Sequence, residues 1–289
     1  MIFTIFTATF NRAHLLPKLF ESLKEQTYTD FEWIVVDDGS SDNTAEVMNS
    51  FISQNNLFNI KYIQQRNSGK HIAINKGVSE AEGDLFFVVD SDDYIGKDAL
   101  EILKREWLLI ESDPEFAGLA GNKCNFSGVA IGDPAYNTLD CSPLDFRYKF
   151  NGKGDKCEVI RTSVFKMYPF PNTPDERFCP EALFFNRLKN FKLRYFNENL
   201  YFCEYLPEGL TAKIFKIRKD SPINTCICYL ELAESEIPFK DSFKAMINFY
   251  RFKRYTAALI RSPRHNLFTR NLARSIAAGI YLIADKKKV

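Results

Sequence analysis

Leu85-Phe86-Phe87-Val88-Val89-Asp90-Ser91-Asp92-Asp93 sets five apolar residues in a row against three carboxylates in the next four positions. A short unbroken apolar run is what a strand covered on both faces looks like. The acids then fall just past its C-terminal end, where ligands bind in open α/β sheets. Carboxylates packed this closely repel one another, and a divalent cation relieves the repulsion. A hard cation such as Mg²⁺ takes one or two carboxylates and fills its shell with the oxygens of a substrate phosphate. The stretch therefore predicts a metal–diphosphate site on a strand end. An acidic turn in which Asp92 or Asp93 caps the next helix would read the same in isolation, so the flanking sequence has to decide.

Upstream, strands and helices alternate. Residues 2–9 read as strand one, and 15–26 as a helix with Leu15, Leu16, Leu19, Phe20 and Leu23 at helical spacing. Residues 31–36 are strand two, ending in the loop chemistry of Asp37-Asp38-Gly39-Ser40-Ser41-Asp42-Asn43, which opens a helix over 44–53. A short strand over 60–64, a Gly-containing turn over 66–70, a helix over 71–80 and strand four at 85–89 complete the series. This order predicts a doubly wound, mostly parallel α/β sheet. The turn after strand one, Thr9-Phe10-Asn11-Arg12, lacks the glycine fingerprint of dinucleotide binders, which argues against a nicotinamide enzyme.

Downstream the pattern loosens. It gives a helix at 98–111, strands at 116–120 and 128–131, a Gly- and Asp-bearing segment at 140–155, and a strand-to-helix unit at 158–165. A Pro-rich loop follows at 170–174, then a helix at 180–188 opening on Pro180, a favoured first helical residue. Strands at 193–196 and 200–205, a basic loop at 211–222, and helical pieces over the last fifty residues complete the chain. In the last of these Leu272, Ile276, Ile280 and Ile283 form one apolar stripe.

The 289 residues allow one large α/β domain, or one with an appendage. The opening residues carry no basic region and no cleavage site, so a signal peptide is not expected, and no apolar run reaches the ~20 residues of a membrane span. Seven cysteines are scattered, and the one close pair, Cys226 and Cys228, lacks zinc spacing; reduced, mostly buried thiols of a cytosolic protein are expected. The net charge of +1 hides an asymmetry: residues 240–289 hold twelve Lys/Arg and two Asp, and the remainder 26 basic and 35 acidic residues. Such a basic tail suits an anionic membrane surface, or helices that pack on the domain or on a second copy. No nucleic-acid recognition module is visible.

Four strand-end clusters would share one sheet edge: 9–12, 37–40, 66–70 and 90–93. A nucleotide makes matching demands. Asp37 or Asp38 could accept from a base N–H and Phe10 could pack on its ring. Lys70 or Arg66 could meet phosphate oxygens, and Asp90 with Asp92 could hold metal or ribose.

These residues resemble glycosyltransferase family 2, of the A-type fold. The matching segments are Thr9-Phe10-Asn11-Arg12, residues 35–42, residues 67–75 around Lys70, and Val89-Asp90-Ser91-Asp92-Asp93. The resemblance implies a catalytic domain over 1–235, with a nucleotide-binding half at 1–98 and an acceptor half at 99–235, and a basic helical region at 236–289. It implies inverting transfer of a hexosyl-type sugar from a nucleotide-sugar donor, UDP-linked for preference, to a glycan or lipid-linked acceptor. The setting would be cell-surface polysaccharide or glycolipid synthesis in the cytoplasm, peripheral on the inner membrane face. Asp90-Ser91-Asp92 matches the Asp-X-Asp motif, which implies Asp92 on Mn²⁺ or Mg²⁺ and Asp90 on ribose or metal. Thr9, Phe10, Asn11, Arg12, Asp37 or Asp38, Arg66, Lys70 and Ser91 would line the donor. Glu181 falls on the catalytic base, with Pro180 in place of the family's first acid; Glu176 and Asp175 are the alternatives. Two rivals stand beside this reading: a nucleotidyltransferase acting on sugar phosphates, and an inactive nucleotide-sugar-binding protein.

Overall fold

The computed structural model describes residues 2–54, 56–132, 136–204 and 213–286. The chain forms two compact units, Met1–Ser142 with Gly152–Pro169 and Asn190–Tyr205, and Pro143–Asn151 with Phe170–Lys189 and Leu206–Val289.

The first unit is built on one sheet. Strands β1 (Phe3–Thr9), β2 (Phe31–Asp37), β3 (Asn59–Gln64) and β4 (Leu85–Val88) alternate with helices α1 (Leu16–Lys24), α2 (Thr44–Ile52) and α3 (Lys70–Glu80). All four strands run parallel in the order β3-β2-β1-β4. The predicted bounds hold to within one or two residues. The register pairs Thr9 with Asp37 and Asp37 with Gln64, so the strand ends that carry the polar clusters lie level. The sheet then continues β4-β8-β6-β9-β5, where β5 is Tyr94–Ile95, β6 Phe116–Cys124, β8 Lys156–Arg161 and β9 Lys192–Phe202. β8 runs antiparallel to both β4 and β6, and β7 (Thr138–Cys141) pairs with β9. The second half of the sheet is therefore mixed. Helices α4 (Ala99–Leu108) and α6 (Thr162–Met167) complete the unit. Its core is aromatic: Phe20 stacks on Phe51 at 4.1 Å between ring centres, and Trp33, fully buried, donates to the Thr7 hydroxyl.

Helix α3 sits unusually close to the sheet. A Cβ on Gly77 would lie 2.2 Å from the Phe6 ring, well inside contact distance, so only glycine lets the helix approach. Gly69, at the helix N-cap, has φ +93°, the left-handed region that favours glycine.

Several sequence expectations are corrected. Residues 128–131 do not form a strand; a turn bonded through the Asn125 side chain leaves only a single bridge from Ala130 to Cys124. The two strands expected at 193–196 and 200–205 are one, β9, which crosses polar Asn197 and Glu198 because its β6 register shifts there; Tyr205 lies outside the described residues. The 211–222 loop contains a helix, α8 (Ile214–Asp220), with Thr211 and Ala212 outside the described residues. The 140–155 segment holds α5 (Pro143–Tyr148). All seven cysteines are free and buried, as expected.

The second unit is helical. α7 (Ala182–Arg187), α9 (Pro222–Ala233), α10 (Phe239–Phe252) and α11 (Leu267–Ile280) join α5 and α8 in it. Its core joins Cys226, Leu230, Met246, Phe249 and Phe252 to Ala273 and Ala277 of α11. The buried seam of α11 is thus made of small residues. Three residues of the apolar stripe face outward: Leu272 is 44 %, Ile276 37 % and Ile283 74 % exposed. No helix among the described residues is long and apolar enough to cross a membrane.

Candidate functional site

The parallel sheet edge brings the four clusters of the first unit together through side-chain contacts. Asp90, just past β4, takes the Lys70 ammonium at 2.6 Å from the first residue of α3. Asp92 takes the Arg12 guanidinium at 3.1 Å from the loop after β1, and Arg12 also reaches the Ser91 hydroxyl. Burial would raise the Asp90 carboxyl, but Lys70, Lys123 and Arg12 outweigh it and hold it below the ordinary range. Asp90 and Asp92 of the acidic turn thus each face a cation brought in from another strand-end cluster. Residues 90–93 close as a turn of their own, with the Asp93 N–H donating to the Asp90 carbonyl. Asp93 is buried, and burial with the nearby Asp90 and Asp92 charges pushes its carboxyl up to about 7.

Both acids at the end of β2 are buried and already engaged. Asp37 accepts from the Ser40 N–H at 2.8 Å and the Tyr62 hydroxyl at 2.7 Å. Asp38 accepts from the Ser68 and Gly69 N–H groups at 2.8 and 2.7 Å and from the Gln65 amide at 2.8 Å. Its carboxylate thus fixes the loop that delivers Lys70. Asn11, at φ +53°, binds the Ser40 hydroxyl and the Ser41 N–H, tying the loops after β1 and β2 together. Phe10 presents a half-exposed ring, and Arg66 is exposed on the loop after β3. Thr9 is 3 % exposed, and its hydroxyl finds no hydrogen-bond partner among the described residues. His71, buried beside this edge, has its imidazole pushed down to about 4 by burial.

Glu181 belongs to the second unit, at the N-cap of α7, with its side chain exposed. Leu183 is fully buried, and Arg187 forms a two-pronged pair with Glu231 of α9 at 2.8 and 2.7 Å, so the helix is held on the side away from solvent. Glu176 has a different task. Its carboxylate accepts from the Ile223 and Asn224 N–H groups, at 2.6 and 2.7 Å, and caps α9. Asp175 is exposed in the left-handed region at φ +64°.

Sequence reasoning missed three contributors in the first unit. Tyr62 braces Asp37, and Lys123 adds a cation beside Asp90. Tyr201 donates to Asp93 and accepts from the Asp90 N–H. Tyr62 lies two residues from the end of β3, where alternation could have placed it. Tyr201 is more than a hundred positions away and leaves no local signal.

The described residues contain no group of three or more His, Cys, Asp or Glu poised on one point. Two adjacent carboxylates on one turn are nonetheless the donor set that Mg²⁺ or Mn²⁺ uses when substrate phosphates complete its shell. The residues present fit such an ion.

A family model, Glycosyl transferase family 2, matches residues 4–113. Glycosyltransferase GlyG of Streptococcus pneumoniae is 32 % identical over 216 residues, covering 69 % of both chains. The crystal structure of Staphylococcus aureus TarS 1-349 in complex with UDP-GlcNAc superposes with a TM-score of 0.64 at 19 % identity, over 98 % of this chain and 81 % of the other. Mannosyltransferase PcManGT from Pyrobaculum calidifontis, in complex with GDP-Man and Mn²⁺, gives 0.55 at 15 % identity over 99 % of this chain and 82 % of the other. Fold, clustered strand-end residues and kinship agree: the chain belongs to glycosyltransferase family 2, with the A-type α/β fold.

Proposed function

We propose that this glycosyltransferase moves a hexosyl-type sugar from UDP to a hydroxyl of a glycan or lipid-linked acceptor, with inversion at the anomeric carbon. The observation that carries the reading is the pairing of Lys70 with Asp90 and Arg12 with Asp92 on one sheet edge. A lone acidic turn or a lone surface lysine would not converge in this way. TarS in complex with UDP-GlcNAc supports the donor class.

Asp92, with Asp90 beside it, would hold Mn²⁺ or Mg²⁺, which when bound supplies positive charge to the departing diphosphate; the Mn²⁺ complex of PcManGT supports the choice of ion. Lys70 and Arg12 carry charge-assisted N–H donors that suit phosphate oxygens. The unpartnered Thr9 hydroxyl and the Phe10 ring offer a polar and a flat contact to the base. Of the two acids after β2, Asp37 spends fewer acceptor positions on the protein and keeps more for a base N–H. Glu181 takes the proton from the acceptor hydroxyl as that oxygen attacks the face opposite the leaving group. No covalent sugar forms on the protein.

Residues 1–98 bind the donor, 99–235 the acceptor, and 236–289 hold the enzyme at the cytoplasmic face of an anionic membrane. The last point is supported by exposed Phe268, Leu272 and Ile276 on a helix that also bears Arg270 and Arg274. Sedimentation with anionic vesicles should show binding that salt reverses; no binding would remove the membrane from the reading.

Calorimetry with UDP and GDP, with and without Mn²⁺, tests the donor site. Mn²⁺ should strengthen UDP binding, and Asp92→Ala should abolish that gain together with donor turnover. Release of pyrophosphate in place of UDP, or Asp92→Ala turning over donor at the unsubstituted rate, would overturn the assignment.

A further inference from the structure

Tyr201 lies on β9, is fully buried, and comes from far along the chain to meet the acidic turn. Its hydroxyl donates to Asp93 Oδ2 at 2.6 Å and accepts from the Asp90 N–H at 2.9 Å. Those are the last and first residues of the turn, and the two carboxylates that face Lys70 and Arg12 belong to this same four-residue unit. One face of the Tyr201 ring carries the Lys123 ammonium at 4.2 Å, while its packing partner Phe87 belongs to β4, the strand that leads into the turn. Packing alone would need only a phenylalanine here. A phenol in a fully buried position has to satisfy its polar end, and this one does so by clasping both ends of the turn.

We propose that Tyr201 is a positioning residue of the donor site: its hydroxyl fixes the path of the 90–93 turn and so the aim of Asp90 and Asp92. The inference rests on the donor-site reading above. Without the hydroxyl, the Asp90 N–H and the buried Asp93 carboxylate lose a shared partner, and the turn can satisfy them only by shifting. Residues that orient metal-binding side chains in this way typically change affinity by about 10- to 100-fold when removed.

The test is Tyr201→Phe, which keeps the ring, read by calorimetry against UDP, GDP, CDP and dTDP with and without Mn²⁺. The dissociation constant of the best-binding nucleotide in Mn²⁺ should rise about tenfold, and the donor KM with it, while the acceptor KM stays put. Leu103→Ala is the control, since it opens the same core from helix α4, outside the turn. It should lower the melting temperature at least as much and leave nucleotide affinity unchanged. Equal affinity of Tyr201→Phe and the unsubstituted protein overturns the inference, as does an equal loss in the Leu103→Ala control. Should Tyr201→Phe fail to fold, Asp93→Ala removes the acceptor and leaves the ring; it too must weaken binding, and unchanged affinity counts against the proposal. Nucleotide binding that ignores Mn²⁺ in the unsubstituted protein defeats the metal reading alone, and Tyr201 is then judged on metal-free affinity. A protein that binds none of the four nucleotides defeats both.

Discussion

Removing the Glu176 carboxylate should cost stability and spare catalysis. Its two oxygens accept the Ile223 and Asn224 N–H groups at 2.6 and 2.7 Å, the first free amides of α9. Asn224 is fully buried, and its side chain further ties Thr173 and the Phe178 carbonyl to the same helix end. Burial pushes the Glu176 carboxyl upward, and the two amide bonds pull it back. In Glu176→Ala the buried Asn224 amide loses its acceptor. Hydrogen bonds to charged groups contribute about 1.5–3 kcal/mol each, and helix caps about 1 kcal/mol. A loss of about 3 kcal/mol follows, a shift of roughly 150-fold in the folded-to-unfolded ratio. Urea unfolding measures it as a lower midpoint at unchanged slope. In the folded protein kcat should stay within about threefold, whereas loss of a general base costs about 10²- to 10⁴-fold. A hundredfold fall in kcat with the urea midpoint unmoved would refute the reasoning and make Glu176 the base.

Glu181→Gln should give the opposite result: transfer lost by at least about a hundredfold, with UDP affinity and urea midpoint unchanged; unchanged transfer moves the base elsewhere. Asp38→Ala strips three acceptor contacts from the loop before Lys70, so nucleotide affinity should fall about tenfold or more with a lower midpoint; wild-type affinity would show that the loop holds itself. In Asp93 the folded carboxyl sits at about 7 against an ordinary 3.8, chiefly through burial. The folded state holds this proton more tightly than the unfolded chain, so its contribution is complete below pH 4 and drains away as pH rises through 7. The full range is about 4 kcal/mol. In EDTA, urea midpoints of Asp93→Asn should lack this decline between pH 4 and 8, and parallel profiles for the two proteins would sink the claim.

The sequence made the parallel half of the fold plain because β1, β2 and β4 are buried along nearly their whole length and rich in apolar residues, with helical periodicity between them. The strand-end polar clusters stood out against that background. Pairing within them was also foreseeable in part, since parallel strands align their ends and bring Lys70 toward Asp90. The later sheet was harder to read. β9 carries Asn197, Glu198 and Asn199 through its middle, where register shifts against β6 let polar side chains turn aside, and periodicity alone split it in two. In α11 the apolar stripe was visible but its direction was not, because the contact surface is made of Thr269, Ala273 and Ala277, small side chains that carry little hydropathy. The different tasks of Glu176 and Glu181 rest on where the N-terminus of α9 falls, which no local pattern states.

Gly77 has a reach beyond its own contact. The Phe6 ring fills the space where a side chain would sit, and two helical turns away, about 10 Å along the axis, the same rigid rod ends in Lys70. Any side chain at that point works as a wedge under one end of a lever. It would tip the cation off Asp90 without touching nucleotide, ion or sugar, so a defect in donor capture can originate in the hydrophobic underside of the molecule.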